Sequence, residues 1–243
     1  MQIFVFKDAE SVASAAAMVF AAQLYQKPDS VLGLATGSTP IPTYQALIEL
    51  NRKGLADFSR ARTFNLDEYV GLTPDHPQAY RRFMDDQLFR HINIDPANTH
   101  VPSGLGDATE NARAYDREIE AAGGIDLQLL GIGLNGHIGF NEPAENYTWG
   151  THVVKLTQST LDANARWFED PEEMPREAIS LGIGGIMEAR RVIMLATGRD
   201  KAEAVARAAL GSVSPDSPAS ILRFHQNAQW MLDEAAASLL QNR

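Results

Sequence analysis

Short apolar runs alternate with longer amphipathic segments along nearly the whole chain. Five of these runs are compact enough to be buried strands: Val31–Ala35, Ala61–Leu66, Asp126–Ile132, Ala178–Ile183 and Arg191–Ala196. A continuous apolar run is typical of a strand that is covered on both faces. Its alternation with helical segments predicts repeated strand–helix–strand units. We therefore predict an α/β fold, a doubly wound and mostly parallel sheet with helices on both faces.

Capping residues mark the predicted helices. Asp8 is expected to cap a helix that runs to about Gln26, and Thr39 one whose first turn holds Pro40 and which ends near Gly54. Amphipathic patterns predict three further helices, over about Gln78–Arg90, Ala108–Ala122 and Asp200–Leu210. No change of composition divides the chain, so we expect a single domain over residues 1–243.

The composition of the chain argues against a nucleic-acid-binding protein and against a membrane protein. The 243 residues include 21 basic and 31 acidic side chains, a formal net charge of −10, and no cysteine. An acidic chain lacks the basic face that nucleic acids require, so no nucleic-acid partner is expected. The longest apolar stretch, Val12–Leu24, is interrupted by polar residues and is too short to span a bilayer. With no secretory pattern at the start of the chain, we expect a cytoplasmic protein with no membrane partner.

Ligands of doubly wound sheets bind beyond the carboxyl ends of the strands, and the segment after Val31–Ala35 carries suitable chemistry. It reads Thr36-Gly37-Ser38-Thr39 and precedes a predicted helix. Unpaired N–H groups and the helix dipole favour an anion at such a place, and the hydroxyl groups add donors. The same residues fit an ordinary helix cap, so this segment alone leaves both interpretations open.

Two consecutive carboxylates, Asp67 and Glu68, follow the predicted strand Ala61–Leu66. Neighbouring residues of an extended chain point to opposite faces, so we expect only one of the two to face the crevice. A carboxylate at this place suits a general base, although a loop-capping role is an equal alternative on this segment alone.

The segment from Gly131 to Pro143 is the most distinctive in the chain. Its four glycines allow the backbone to approach a ligand closely, and His137 is a proton-transfer group near neutral pH. Asn135 and Glu142 are potential partners for its ring nitrogens. A lone histidine is more often a surface or core residue, but few core loops concentrate glycine and polar groups in this way.

The remaining candidate site residues are two cations, Arg166 and Lys201. Lys201 lies at the start of a predicted helix, where the dipole disfavours a cation unless an anion lies nearby. Most single basic residues are solvated surface groups, so neither residue identifies a site alone.

Three of these segments together resemble the glucosamine-6-phosphate deaminases: Leu34–Pro40, Asn65–Leu72 and Gly136–Pro143. The likeness extends over nearly the whole chain. It implies a Rossmann-like fold and a reaction of amino-sugar catabolism without cofactor or metal, in which glucosamine 6-phosphate and water give fructose 6-phosphate and ammonium.

The resemblance also implies roles for single residues. Asp67 matches the enolisation base, His137 the acid–base group of ring opening, and Glu142 a partner of that histidine. The residues expected to bind the substrate phosphate or its surroundings are Thr36, Gly37, Ser38, Thr39, Arg166 and Lys201. Family members carry aspartate or asparagine at the position of Asn135. An amide cannot stabilise imidazolium by charge, so we expect Glu142 to carry more of that role here.

The likeness is to the shorter, unregulated members of the family. Larger members form hexamers regulated by N-acetylglucosamine 6-phosphate, and Trp149 and His152 stand where those members have other residues, including an arginine. We therefore expect a monomer without allosteric control.

Two other functions remain open at this point. One is a 6-phosphogluconolactonase, which resembles the fold and the phosphate loop but hydrolyses a lactone. The other is a sugar-phosphate sensor without catalysis. The run Phe140–Pro143 favours the deaminase over the lactonase, and Asp67 disfavours the sensor, which needs no base.

Overall fold

A computed structural model describes residues 1–158, 161, 168 and 174–240. Seven of the strands in these residues form one parallel sheet: β1 (Gln2–Phe6), β2 (Val31–Leu34), β3 (Arg62–Asn65), β5 (Thr99–His100), β6 (Leu127–Gly131), β9 (Val192–Ala196) and β10 (Ala228–Asp233). Their order across the sheet is β1-β10-β9-β6-β2-β3-β5. Three further strands form a small antiparallel sheet: β4 (Asp67–Tyr69), β7 (His152–Lys155) and β8 (Glu177–Ser180), with β8 in the middle.

The described residues contain six α-helices: α1 (Ala9–Gln26), α2 (Ile41–Arg52), α3 (Tyr80–Gln87), α4 (Ala108–Ala121), α5 (Ile183–Glu188) and α6 (Ala202–Leu210). Asp8 caps α1 as expected, because its carboxylate accepts a hydrogen bond from the N–H of Ser11 at 2.8 Å. In this part of the chain no helix is long and apolar enough to cross a membrane.

Strand β9 shows how the main sheet is covered on both faces. Val192 and Met194 pack on one side in a core that includes residues of α4 and α6, whereas Ile193 and Leu195 pack on the other with residues of α1 and α2. Both cores are built of buried aliphatic and aromatic side chains. Full burial of one Val, Leu, Ile, Phe or Met side chain stabilises a fold by about 1.5–3 kcal/mol. The predicted α/β fold with helices on both faces is confirmed.

The strand order reverses once, between β2 and β6. From β2 the chain moves outward through β3 to β5, then returns to the other side of β2 and continues through β6 and β9 to β10. Loops that follow the two strands at such a reversal lead to opposite sides of the sheet and leave a crevice between them. The loop after β2 and the loop after β6 therefore flank the natural ligand position of this fold.

The segment Ala178–Ile183 was predicted to be a strand of the main parallel sheet, and this prediction was wrong. Its first residues lie in β8, which pairs antiparallel with β4 and β7 outside the main sheet, and Ile183 begins α5. A short apolar run is typical of any buried strand and does not specify its partner. The sequence predictions also lacked β1 and β10, which pair with each other at one edge of the main sheet.

Thr39 does not cap α2, contrary to expectation. The helix begins at Ile41, the residue before it is Pro40, and no side chain caps this end. The hydroxyl-bearing loop Thr36–Thr39 is therefore separate from the first helical turn, and the cap interpretation of this segment no longer holds.

Candidate active site

Asp67 is the first residue of β4 and follows β3 after a single residue. The N–H of Leu66 bonds to Leu34 of β2, which holds this link against the main sheet. The Asp67 side chain is buried, and no described residue donates a hydrogen bond to its carboxylate. Burial, and secondly the charge of Glu68, raise the pKa of Asp67 to about 8. The site therefore holds a carboxyl group that keeps much of its proton at neutral pH and whose oxygens accept no hydrogen bond from the described residues.

Three tyrosines from three helices lie near Asp67: Tyr44 and Tyr115 are buried, and Tyr80 is partly buried. Tyr44 of α2 donates to the carbonyl of Ala35 at 2.5 Å, and Tyr115 of α4 donates to the carbonyl of Asn65 at 2.8 Å. Burial raises the pKa of each tyrosine, and the charge of Asp67 adds to the effect. The three hydroxyl groups are therefore neutral at physiological pH.

The third of these residues, Tyr80 of α3, links Asp67 to the loop after β2. Its hydroxyl lies near the side chain of Thr36 and 3.3 Å from the hydroxyl of Tyr69. Sequence reasoning missed Tyr80 and Tyr44, because a buried tyrosine beside a site has the same sequence pattern as one in the core.

The loop after β6 folds back on itself around His137. The N–H of Gly133 donates to the carbonyl of His137 at 2.9 Å, and Gly136 adopts a φ of 90°, which favours glycine. The imidazole lies directly over Gly133, where a methyl group would be 2.3 Å from Cε1 of the ring. The glycine at this position is therefore required by the space that the histidine occupies.

Glu142 is the residue that faces the imidazole. Its Oε1 lies 3.4 Å from Nδ1 of His137, and its side chain is 8% exposed. We expected Asn135 to contact a ring nitrogen of His137, but it does not. Its amide donates to Oε2 of Glu142 at 2.5 Å, and its carbonyl oxygen accepts the backbone N–H of His137 at 3.2 Å. Asn135 thus orients the carboxylate and the loop, because only Glu142 is directed at the ring.

The two sides of the site meet at Gly139. A methyl group on Gly139 would lie 3.6 Å from Oδ2 of Asp67 and 3.2 Å from the hydroxyl of Ser180, which is paired with Asp67 across the small sheet. Ser180 also accepts the N–H of Phe140 at 3.0 Å. The small antiparallel sheet therefore holds Asp67 against the loop that carries His137.

The predicted anion-binding residues Ser38, Thr39 and Lys201 line one cavity of about 170 Å³ beyond the carboxyl ends of β2 and β9. Lys201 is partly buried there, and this burial lowers the pKa of its ammonium group. Gly37 adopts a φ of 96° in the loop above, so its N–H direction depends on glycine. Arg166, the other predicted cation, lies outside the described residues.

The arrangement combines a partly ionised base, an imidazole with its own carboxylate, and a cavity with hydroxyl and ammonium donors. Such a set can move protons on a small molecule that carries an anionic group at one end. Within the described part of the chain, no group of three His, Asp or Glu side chains could hold a metal ion.

Comparisons with known proteins agree on one family. The family model described as glucosamine-6-phosphate isomerases/6-phosphogluconolactonase matches residues 7–231. A glucosamine-6-phosphate deaminase from Shewanella woodyi is 52% identical over 246 residues, which cover 100% of this chain and 92% of that protein.

Solved structures give the same picture. A monomeric glucosamine-6-phosphate deaminase superposes with a TM-score of 0.95 and 41% sequence identity, over 98% of this chain and 100% of that one. The 6-phosphogluconolactonase from Thermotoga maritima superposes with a TM-score of 0.77 at 19% identity, over 96% of this chain and 99% of that one. The second likeness concerns the fold alone.

Proposed function

Because this chain belongs to the family of glucosamine-6-phosphate isomerases and 6-phosphogluconolactonases, we propose that it converts glucosamine 6-phosphate and water into fructose 6-phosphate and ammonium. Relatives that share about half of its residues are named as deaminases. The observation that carries the proposal is the buried Asp67 carboxylate, which receives no hydrogen bond from the described residues and lies against the loop that holds His137.

The first step opens the sugar ring. A proton must leave the anomeric hydroxyl and another must reach the ring oxygen, and an imidazole can carry out both transfers. His137 takes this role. Glu142 stabilises the imidazolium that forms in between, since its Oε1 is 3.4 Å from Nδ1.

The second step moves a proton from C2 to C1 of the open chain. Asp67 removes the C2 proton while a proton of the substrate ammonium passes to O1, which gives a neutral enolamine, and Asp67 then returns its proton to C1. The resulting iminium at C2 is hydrolysed by water, which leaves the ketone of fructose 6-phosphate and releases ammonium. One carboxylate can serve both transfers when it lies over the C1–C2 bond.

The pKa of Asp67 suits this step only when substrate is bound. A pKa near 8 keeps much of the carboxyl group protonated in the free protein at neutral pH. The substrate amine at C2 is a cation in its protonated form, and an opposite charge nearby lowers the pKa of a carboxyl group. Binding of the substrate therefore lowers the pKa of Asp67 and converts it to the ionised form that acts as the base.

We assign the phosphate of the substrate to the cavity that is lined by Ser38, Thr39 and Lys201. Hydroxyl groups and an ammonium group form charge-assisted hydrogen bonds with phosphate oxygens. Arg166 is proposed as a second cation on the strength of the family resemblance. Fixing the phosphate holds the reacting carbons beneath Asp67, so these residues contribute to turnover as well as to affinity.

The proposal is tested by ammonia release from glucosamine 6-phosphate with wild-type protein and with Asp67→Asn. Asparagine keeps the shape of the side chain but cannot accept the C2 proton, so we expect ammonia release to fall by at least about 10³-fold. Undiminished binding of fructose 6-phosphate by the variant is the control for an intact site. Hydrolysis of 6-phosphogluconolactone without ammonia release would identify a lactonase, and tight binding of the sugar phosphate without any reaction would identify a sensor.

We also propose that the protein acts as a monomer in the cytoplasm. The similar solved structure is described as a monomeric deaminase, and its likeness extends over nearly the whole of both chains. Sugar phosphates are charged and cross bilayers poorly, so an enzyme that uses them belongs in the compartment where they are made.

A further inference from the structure

Glu68 lies on the opposite face of β4 from Asp67, as expected for neighbouring residues of a strand. Its side chain is 4% exposed. None of the cationic side chains in the described ranges forms an ion pair with it, and Arg81, whose backbone lies beside it, pairs with Asp85 at 3.2 Å instead. A buried carboxylate without a cation needs other donors to remain stable.

Those donors are three backbone N–H groups. Oε1 of Glu68 accepts from Tyr69 at 2.8 Å and from Tyr80 at 2.9 Å, and Oε2 accepts from Arg81 at 2.9 Å. Tyr80 and Arg81 are the first two residues of α3, and Ala79 before them offers no side-chain cap. Glu68 therefore caps α3 from a distant strand and satisfies N–H groups that the helix itself leaves unpaired.

The capped turn is the part of α3 that reaches the site. The ring of Tyr80 packs against Tyr69 at 4.8 Å and against Phe140 at 6.1 Å between ring centroids. Its hydroxyl lies near the side chain of Thr36 in the loop after β2. One carboxylate thus joins β4, α3 and, through Tyr80, the loops that flank the crevice.

We propose that Glu68 is a positioning residue, which fixes Asp67 and Tyr80 relative to the two loops of the site by holding the first turn of α3 against β4. The kinetic test of this inference rests on the proposed function, whereas the hydrogen-exchange test does not. Glu68 does not face the site, so its effect on the reaction is transmitted through these neighbours.

Glu68 also acts on Asp67 through its charge. Burial raises the pKa of Glu68, and the three N–H bonds, which favour its ionised form, offset this shift only in part. The charge of Glu68 raises the pKa of Asp67 in addition to burial. The charge of Asp67 reaches titratable groups on three helices, Tyr44 on α2, Tyr80 on α3 and Tyr115 on α4. His137 and Glu142 belong to the loop after β6, which meets Asp67 at Gly139.

The test compares Glu68→Gln and Glu68→Asp with wild type. Glutamine removes the charge and places an NH₂ group against an N–H donor, so α3 loses part of its cap. Because a displacement near 1 Å costs about 10²-fold in rate, we expect kcat to fall by that order while KM changes much less. The acid limb of the kcat/KM profile is expected to move to lower pH, since a charge that raises the pKa of Asp67 is gone. Aspartate keeps the charge but not the reach, so it is expected to lower kcat without moving this limb.

A structural readout accompanies the kinetics. Hydrogen exchange at the Tyr80 and Arg81 amides of the ligand-free protein should accelerate in both variants, because their acceptor is removed or displaced. Glu49→Gln is the matched control, as Glu49 is an exposed glutamate on α2 whose side chain forms an ion pair with Arg52. It should leave the kinetics and these two amides unchanged.

The outcomes separate the two proposals. Wild-type kcat, acid limb and amide exchange in Glu68→Gln would overturn the positioning role. Absence of ammonia release by the wild type would overturn the proposed function, while the exchange comparison would still decide whether Glu68 caps α3. Should Glu68→Gln fail to fold, the exchange and kcat of Glu68→Asp decide the question in the same way.

Discussion

At the level of single residues, the chemistry depends on a carboxyl group that the fold keeps away from water. Asp67 has no hydrogen-bond donor among the described residues, and its environment raises its pKa to about 8. An unfolded chain leaves the same carboxyl group near its usual pKa of about 3.9. The native protein therefore carries a stability penalty at neutral pH in order to hold a base of this strength.

This penalty predicts a pH-dependent effect of Asp67→Asn on stability. Between about pH 4 and pH 8 the native state retains a proton that the unfolded state has lost, so wild-type stability falls as pH rises through this window. The asparagine variant has no carboxyl group at this position, so its stability does not fall for this reason as the pH rises. We expect it to be more stable than wild type at pH 8, by on the order of a few kcal/mol, and nearly equal at pH 4.

Denaturant unfolding of both proteins at several pH values measures the difference. Asp216→Asn, at an exposed loop position, is a control that removes one carboxylate without this burial. A stability difference that is constant from pH 4 to pH 8 would show that Asp67 titrates normally.

The contacts of Asn135 and Glu142 predict unequal effects of their substitution. Only Glu142 faces the ring of His137, whereas Asn135 bonds to Glu142 and to the backbone. We expect Glu142→Gln to slow ammonia release by roughly 10²-fold, because charge stabilisation of imidazolium is lost, and Asn135→Ala to slow it less. Steady-state rates at saturating substrate compare the two, and a larger loss for Asn135→Ala would refute the assignment.

At the level of elements, the loop after β6 is shaped by the histidine that it carries. A methyl group on Gly133 would lie 2.3 Å from the ring of His137, whereas one on Gly131 meets open space. Gly133→Ala is therefore expected to displace the imidazole and to lower kcat by about 10²-fold. Gly131→Ala is the matched control, and equal rates for the two variants would mean that the ring is not held in this position.

The elements also show what the sequence can specify. Strands β2, β3, β6 and β9 were predicted because their apolar runs are covered on both faces, and the segments after β2, β3 and β6 carry the candidate site residues. The small sheet was not predicted, since its apolar run Ala178–Ile183 does not indicate a partner on β4. This matters for the site, because pairing with β8 is what turns Asp67 towards Gly139.

Contacts between distant segments account for the rest. The cap that Glu68 provides for α3, and the approach of Tyr80 to Thr36, join residues whose sequence neighbourhoods carry no signal of each other. The sequence predicts that Asp67 and Glu68 point to opposite faces of the strand, but it does not predict that Glu68 contacts the first turn of α3. Family resemblance supplied residue roles, whereas the geometry supplied the reasons for particular side chains.

At the level of the whole molecule, the proposed monomer predicts simple kinetics. We expect sedimentation to give one species of about the chain mass of 26.6 kDa. Ammonia release should follow a hyperbolic dependence on glucosamine 6-phosphate, because a single site has no other site to couple with. N-acetylglucosamine 6-phosphate should not increase the rate. A sigmoidal curve that this compound makes hyperbolic would contradict the prediction.

The pairing of β1 with β10 sets the timing of folding during synthesis. β1 precedes the other strands in the sequence, yet among the described residues its neighbour in the main sheet is β10, which is synthesised after the other described strands. Until then, the outer side of β9 is an open edge, and such edges accept wrong strands. The main sheet is therefore complete only after β10 has been synthesised, and wrong strand pairing is most favoured in the interval before that.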